Sequence, residues 1–448
     1  MSHPITPEPL IIGAGIAGLT AALRLADAGL RPIVLEAAPD PGGRARSYWD
    51  AQLGEELDHG PHLLMGAYTH TRQLLARLGS HSLLWQPDRP DFTFWQAKWG
   101  WYRLATADLP APWHLLAALF RLPGLSLADR LSIRHLARPL RGETSRWENE
   151  SVTQWLLRYQ QSERLCQQLW YPLCLATLNE PAGSANAALF ATVLQRLFFT
   201  DRQAMMPLLP AVPLSQLLAR PAVQAIERAG GRVICRCRVR QLVFSNATLQ
   251  AVHSDQGSWW HPRSVILAVS HTALLRLLPH GNLQQQLASL LHAPIVSVHL
   301  RYDQPLSLPA PLVGLPGLTS QWLLDRTLLA QPATQQPGRL SAVLSGAYRE
   351  SNWESDRLIE AVHQDVCRLF PTKNIPLPQA ARVLKIHQAT LAAWPGCNRF
   401  RPSGSSEWHN VVLAGDWTAT GLPATLEGAV LSGWQAAEKI LALCGHER

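Results

Sequence analysis

The chain has 448 residues, 47% of them apolar and 16% charged, an ordinary globular composition with enough apolar material for two or three domains. Its net charge of +8 suits a phosphate-rich ligand or an anionic membrane surface, but the basic residues are scattered and no nucleic-acid motif is visible, so no nucleic-acid partner is expected. The seven cysteines show neither CxxC nor metal-ligand spacing, which argues against a metal site and fits a reduced, cytoplasmic compartment.

The opening stretch "PLIIGAGIAGLTAALRLADAGLRPIVLEA" reads as a short apolar strand, a glycine turn opening a helix, and a second apolar strand ending at Glu36. It lacks a basic leader and holds Gly13, Gly15 and Gly18 in its apolar start, so it is not read as a signal peptide. Gly13 allows the tight turn, Gly15 lets the backbone approach a pyrophosphate, and Gly18 lets helix pack closely on strand. Ile16 and Ala17 then lie in the first helical turn, where the dipole favours negative charge. Glu36, eighteen residues beyond Gly18 and followed by Ala37, is placed to accept hydrogen bonds from a ribose hydroxyl. A ligand-free turn would explain the glycines but not the acid. Next, "AAPDPGGRARS" adds a second glycine turn at Gly42 and Gly43, with Arg44 and Arg46 as charge partners for a longer cofactor, FAD rather than NAD.

"DHGPHLLMGAY" at 58–68 carries His59, Gly60, Pro61, His62 and Tyr68. Between about 89 and 204 the glycine pattern vanishes and aromatic residues accumulate. There "DFTFWQAKWGWYRL" alternates like a hairpin, and Trp113, Trp147, Trp155 and Trp170 lie on helix-like stretches. Core packing accounts for most of the seventeen tryptophans, with others available to wall an apolar tunnel or meet a lipid interface. The arginine-rich segment 119–141 fits either a solvated amphipathic helix pair or a membrane-facing surface. "AIERAGGRVICRCRVRQLVF" reads as a helix end, a glycine turn and one alternating strand on which Cys235 and Cys237 point the same way. "SVILAVSH" at 264–271 reads as a buried strand, and the charge-free run 304–324 contains four prolines, which excludes a continuous membrane-spanning helix there. Finally "LAGDWTATGLPATLEGAVLSGW" at 413–434 reads as strand, loop and helix, with Thr425 as N-cap and the amides of Leu426, Glu427, Gly428 and Ala429 free for negative charge.

With its glycine fingerprint, its acid, the turn at Gly42 to Arg44 and the late Gly415-Asp416, the chain resembles the FAD-dependent amine oxidase and carotenoid desaturase superfamily. The resemblance implies an α/β fold: a Rossmann-like FAD-binding domain of glutathione-reductase or amine-oxidase type, with an inserted α+β substrate domain. FAD would be bound by 1–88, 205–280 and 398–448, and substrate by 89–204 and 281–397. Asp416 would meet the ribityl or pyrophosphate region, the backbone of Val239 the adenine, Gly60, Pro61 and His62 the cofactor, and the helix after Thr425 the isoalloxazine ring.

The strings at 58–68, 209–231 and 414–433 are similar to the squalene-associated branch, the hydroxysqualene dehydroxylases, although His59 stands where that branch often has Asn. That branch implies reductive removal of an allylic hydroxyl from hydroxysqualene, giving squalene for hopanoid synthesis. An acid must protonate the departing hydroxyl, and His62, then His59, then Tyr68 are the candidates; alternatively His62 only bonds its loop or the cofactor. Such a substrate implies peripheral contact with the inner face of the membrane and with upstream squalene-pathway synthases. Alternatives are a phytoene-type desaturase, a flavin amine oxidase, disfavoured because "APIVSVHLRYD" offers no Lys, and a non-catalytic FAD-bound scaffold for isoprenoid enzymes.

Overall fold

The computed structural model describes residues 8–107, 109, 113–330 and 337–446. At its centre lies a five-stranded parallel sheet in the order Arg232–Ile234, Ile33–Leu35, Leu10–Ile12, Val265–Leu267, Val411–Leu413. Each strand has only three residues, and all are apolar except Arg232 at the edge, because both faces are covered. The twofold alternation along the strands decides what covers them. Ile11, Val34, Ile266 and Val412 point to one side, into the helices Ile16–Asp27, Arg220–Arg228 and Leu426–His446. Leu10, Leu35, Leu267 and Leu413 point to the other, where the strands Val239–Ser245 and Thr248–Ser254 pack with helices Ser270 caps and Gly281 precedes.

A seven-stranded sheet runs Ala380–Leu391, His292–Tyr302, Gly338–Ser345, Gln321–Asp325, Leu312–Leu315, Asp91–Gln96, Gly100–Ala105. Its pairs are antiparallel except Leu312–Leu315 beside Asp91–Gln96. On His292–Tyr302 the residues Val296, Val298, Leu300 and Tyr302 enter the core under helix Ser355–Leu369, while Ser297, His299 and Arg301 take the opposite face. The expected hairpin forms over 91–105. The charge-free run contributes two strands of this sheet instead of a span, and no helix among the described residues is long and apolar enough to cross a membrane.

From Trp113 to residue 199 the chain is mainly helical, and its core holds Trp147, Trp155 and Trp170 with Phe190 and Phe198. Trp155 meets Trp147, Tyr159 and Phe190 edge to face, so these tryptophans are packing residues. Trp113 opens the helix Trp113–Phe120; its side chain lies outside the described residues. One expectation is corrected: the stretch 232–245 is two strands in two different sheets, broken at Arg236, which adopts a left-handed φ of 57°. Cys235 and Cys237 therefore share no strand face.

Candidate functional site

The glycine fingerprint sits at the carboxyl end of Leu10–Ile12, where the parallel strands leave a crevice. Gly13 has φ +106°, and a Cβ there would lie 2.6 Å from the carbonyl oxygen of Ala268. A Cβ on Gly18 would come within 2.0 Å of the Gly13 oxygen, so the helix can approach the turn only without a side chain. Gly15 differs: a Cβ would meet nothing within 4 Å, and the residue caps Ile16–Asp27 with no side-chain acceptor. The amides of the first turn, Ile16 and Ala17 among them, thus have no side-chain cap.

The second glycine turn closes on the first. Gly42 donates its amide to Ala14 O at 2.7 Å and bridges Gly15, and Gly43 lies over the Gly15 Cα. Glu36 accepts from the amides of Ala14 (2.7 Å) and Ala38 (2.8 Å), which fixes its carboxylate at the mouth of a cavity of about 200 Å³. Gly13, Glu36, Ala37 and Val239 all line that cavity, so four residues proposed from widely spaced motifs share one wall. This is a cradle that an adenosine and a pyrophosphate fit: an acid for ribose hydroxyls, open helix amides for phosphate, and apolar walls for the base.

Arg44 joins the two ends of the chain by an ion pair of 2.5 Å to Asp416, whose side chain is buried, and by a bond to Ala389 O. Gly415, at φ +145°, tolerates no Cβ because the Trp417 indole lies 2.3 Å from where it would be. Sequence reasoning missed the residue that sets this loop. Arg401 is buried, and its guanidinium donates to the carbonyls of Asp416 (2.8 Å), Thr418 (2.6 Å) and Leu422 (2.6 Å). Burial pulls its pKa below the usual arginine value. No motif announces such a residue, because three carbonyls leave no mark on the sequence.

At the helix that follows, Thr425 is the N-cap: its hydroxyl accepts from the Gly428 amide at 3.3 Å. Ala429 is corrected from its expected role, since its amide is spent on Thr425 O at 3.0 Å inside the helix. Leu426 and Glu427 hold the first-turn positions, and the Glu427 side chain is engaged by the helix Thr69–Leu78. It is buried and accepts from the amides of His70 (3.0 Å) and Thr71 (2.9 Å) and the Thr71 hydroxyl (2.7 Å), capping the helix Thr69–Leu78. Tyr68 sits beside it, bonded to Thr425, with its phenol pushed up to about 12 by burial and by the Glu427 charge. At neutral pH it is a neutral phenol.

The two histidines of the 58–68 loop separate. His59 accepts the Arg46 Nε proton at 2.8 Å, and burial together with Arg46 lowers its pKa, so it is a neutral acceptor and not a proton donor. His62 donates Nδ1–H to Gly60 O at 2.6 Å, since a carbonyl can only accept; Nε2 is therefore the atom free to gain and lose a proton. Asp58, also missed, lies close enough to interact with the His62 charge. Its carboxylate is pinned by the Ser47 hydroxyl (2.6 Å) and the Leu214 amide (2.8 Å), and burial pushes its pKa up. Gly60 faces Ser297 of the long central strand. Among the described residues no cluster of His, Cys, Asp and Glu could hold a metal ion.

The chain is 33% identical to hydroxysqualene dehydroxylase of Rhodopseudomonas palustris, with 96% of this chain and 98% of that protein covered. It is 31% identical to the protein of the same name from Sinorhizobium fredii, over 96% and 98% of the two chains. Likeness to 15-cis-phytoene desaturase of Synechococcus elongatus is lower, 26% over 96% and 95%. Among solved structures, a putrescine oxidase redesigned in its cofactor binding superposes with a TM-score of 0.75 at 18% identity, over 98% of this chain and 99% of that one. Cyclohexylamine oxidase from Brevibacterium oxydans gives 0.73 at 18% identity, over 99% and 100%. The fold is shared from end to end with the two solved structures. With the profile for flavin containing amine oxidoreductases matching residues 16–441, this chain belongs to that family.

Proposed function

We propose that the chain is an FAD-dependent hydroxysqualene dehydroxylase, removing an allylic hydroxyl reductively to give squalene. The observation that carries this reading is the end-to-end likeness, at 33% and 31% identity, to two enzymes of that name, against 26% to a phytoene desaturase. Segments 1–88, 205–280 and 398–448 then hold FAD, and 89–204 with 281–397 hold the isoprenoid. Gly13, Gly15, Ile16, Ala17 and Gly18 with Gly42, Gly43 and Arg44 take the pyrophosphate side; Glu36, Ala37 and Val239 take the adenosine. Gly60, Pro61, Gly415, Asp416, Leu426 and the backbone of Glu427 face the flavin end.

The reduced flavin supplies a hydride, two electrons with one proton. The chain's own task is to make the carbon ready for it. His62, with Nδ1–H held by Gly60 O, presents Nε2 and delivers a proton to the hydroxyl oxygen, so the C–O bond breaks with its electron pair and water leaves. Asp58, four residues before it, holds the start of this loop through the Ser47 hydroxyl and the Leu214 amide. The allylic cation is stabilised by resonance and is quenched to a C–H bond, which balances the reaction. Apolar walls protect the cation from water. Hydroxysqualene is drawn from the inner face of the membrane, and squalene-pathway synthases supply it.

The test is anaerobic: photoreduce the purified protein, add hydroxysqualene in detergent, and follow flavin absorbance while extracting lipid. Reoxidation with matching squalene is expected. Persistence of the reduced flavin, together with bleaching of the oxidised enzyme by a more saturated isoprenoid, would replace this reading with a desaturase.

A further inference from the structure

We propose that the hairpin Asp91–Ala105 and the helices Trp113–Phe120 and Leu127–Ser132 form a docking surface for an anionic lipid membrane. The inference deepens the reading above, because a substrate dissolved in a bilayer must be reached from its surface.

Five large apolar side chains stand in solvent on these elements: Trp99 (37% exposed), Trp101 (37%), Phe120 (43%), Leu127 (62%) and Leu131 (43%). Scattered singly they would mean nothing. They are joined. The Trp99 ring lies over Gly124, where a Cβ would be 2.6 Å from it, and so closes the hairpin tip onto the turn between the helices. Arg130 reaches Leu122 O at 2.9 Å and places its guanidinium 5.9 Å from the Phe120 ring, tying the second helix to the first. On the hairpin Tyr102 and Leu104 turn into the helical core while Trp101 and Arg103 turn out.

Among the described residues of the hairpin and the two helices the exposed charges are positive, and one exposed acid, Glu163, lies on the neighbouring helix Glu163–Leu165 beside Arg164. Lys98, 4.6 Å from the Trp99 ring, is exposed, as are Arg103 and Arg121. Along the helical segment the exposed positions Leu127, Leu131, Arg134 and Arg138 recur at helical spacing, two leucines and then two arginines on one stripe. Asp129, the single acid of 119–141, is buried and held by the Ser126 hydroxyl and amide at 2.8 Å, so it does not offset them. Trp and Leu between cations match the boundary of headgroups and acyl chains, whereas a protein partner would call for charges of both signs at the rim.

The test is flotation of the holoprotein with vesicles of phosphatidylcholine alone and of equal parts phosphatidylcholine and phosphatidylglycerol. Binding is expected to the mixed vesicles, falling with added salt. The doubles Leu127→Glu/Leu131→Glu and Arg134→Glu/Arg138→Glu should each weaken it roughly tenfold or more, with FAD content and detergent turnover unchanged. Leu377→Glu, at a leucine that is 78% exposed elsewhere, should float like the parent protein. Failure of the parent to float with the mixed vesicles, or equal floating of the doubles, overturns the surface, including in favour of a protein partner. A parent that floats but produces no squalene in detergent leaves the surface standing and removes the reaction.

Discussion

His62 divides its two nitrogens between structure and chemistry. Nδ1 is bound to Gly60 O, so His62→Ala should leave FAD content intact and lower turnover by roughly a hundredfold or more, read from flavin reoxidation. Asp58→Asn can keep both of its hydrogen bonds while losing the charge, so FAD content and melting temperature should stay close to those of the parent, whereas Asp58→Ala, which loses both bonds, should lower the melting temperature. A second pH effect belongs to stability. His271 is buried, stacked on His292 at 4.4 Å, and burial with that neighbour holds its pKa at about 4. Folded protein refuses a proton that the unfolded chain accepts below about 6.5, so stability is full above that pH and declines toward pH 4, by about 3 kcal/mol. Denaturant melts across that window should show the decline, and His271→Gln should lessen it, leaving the part that His59, His292 and His299 contribute, since burial lowers their pKa values too. Arg401→Met should release the Asp416 loop and reduce FAD retention, measured by the flavin-to-protein absorbance ratio.

At the scale of elements, the C-terminal helix Leu426–His446 serves two neighbours. Gly433 rests on Ile16–Asp27, where a Cβ would come within 2.2 Å of the Ala17 oxygen. Glu427 caps Thr69–Leu78, so Glu427→Ala removes a buried acceptor and leaves two amides unpaired, a loss of roughly 2–4 kcal/mol that should appear in the melting temperature. The cap was invisible in the sequence because its donors lie more than three hundred and fifty residues away. The helix itself was legible: Thr425 precedes it at the N-cap position, and its apolar periodicity runs through Val430, Ala437 and Ile440, all buried. The strand expected across 232–245 failed for a local reason, since the apolar alternation gives no warning that Arg236 turns left-handed and sends the chain to a second sheet.

For the molecule as a whole, the cofactor cradle is assembled from strands that lie far apart in the chain, so bound FAD ties those segments together. Adding free FAD at about a hundred times its dissociation constant should stabilise the fold by about 2.7 kcal/mol, and the melting temperature should rise with FAD concentration. A melting point insensitive to FAD would contradict the cradle. By itself the sequence determined what is local: the glycines forced by tight turns and close backbone approach, the acid at the end of the second strand, and the short strands apolar on both faces. Each follows from sterics or periodicity within a few tens of residues. Only the tertiary structure decided that Tyr68 is buried beside Glu427, that Arg401 holds the Asp416 loop, and that the Asp58 carboxylate is pinned by Leu214. Those roles rest on packing between distant segments, and burial and charge act through distance in space, which the order of residues does not record.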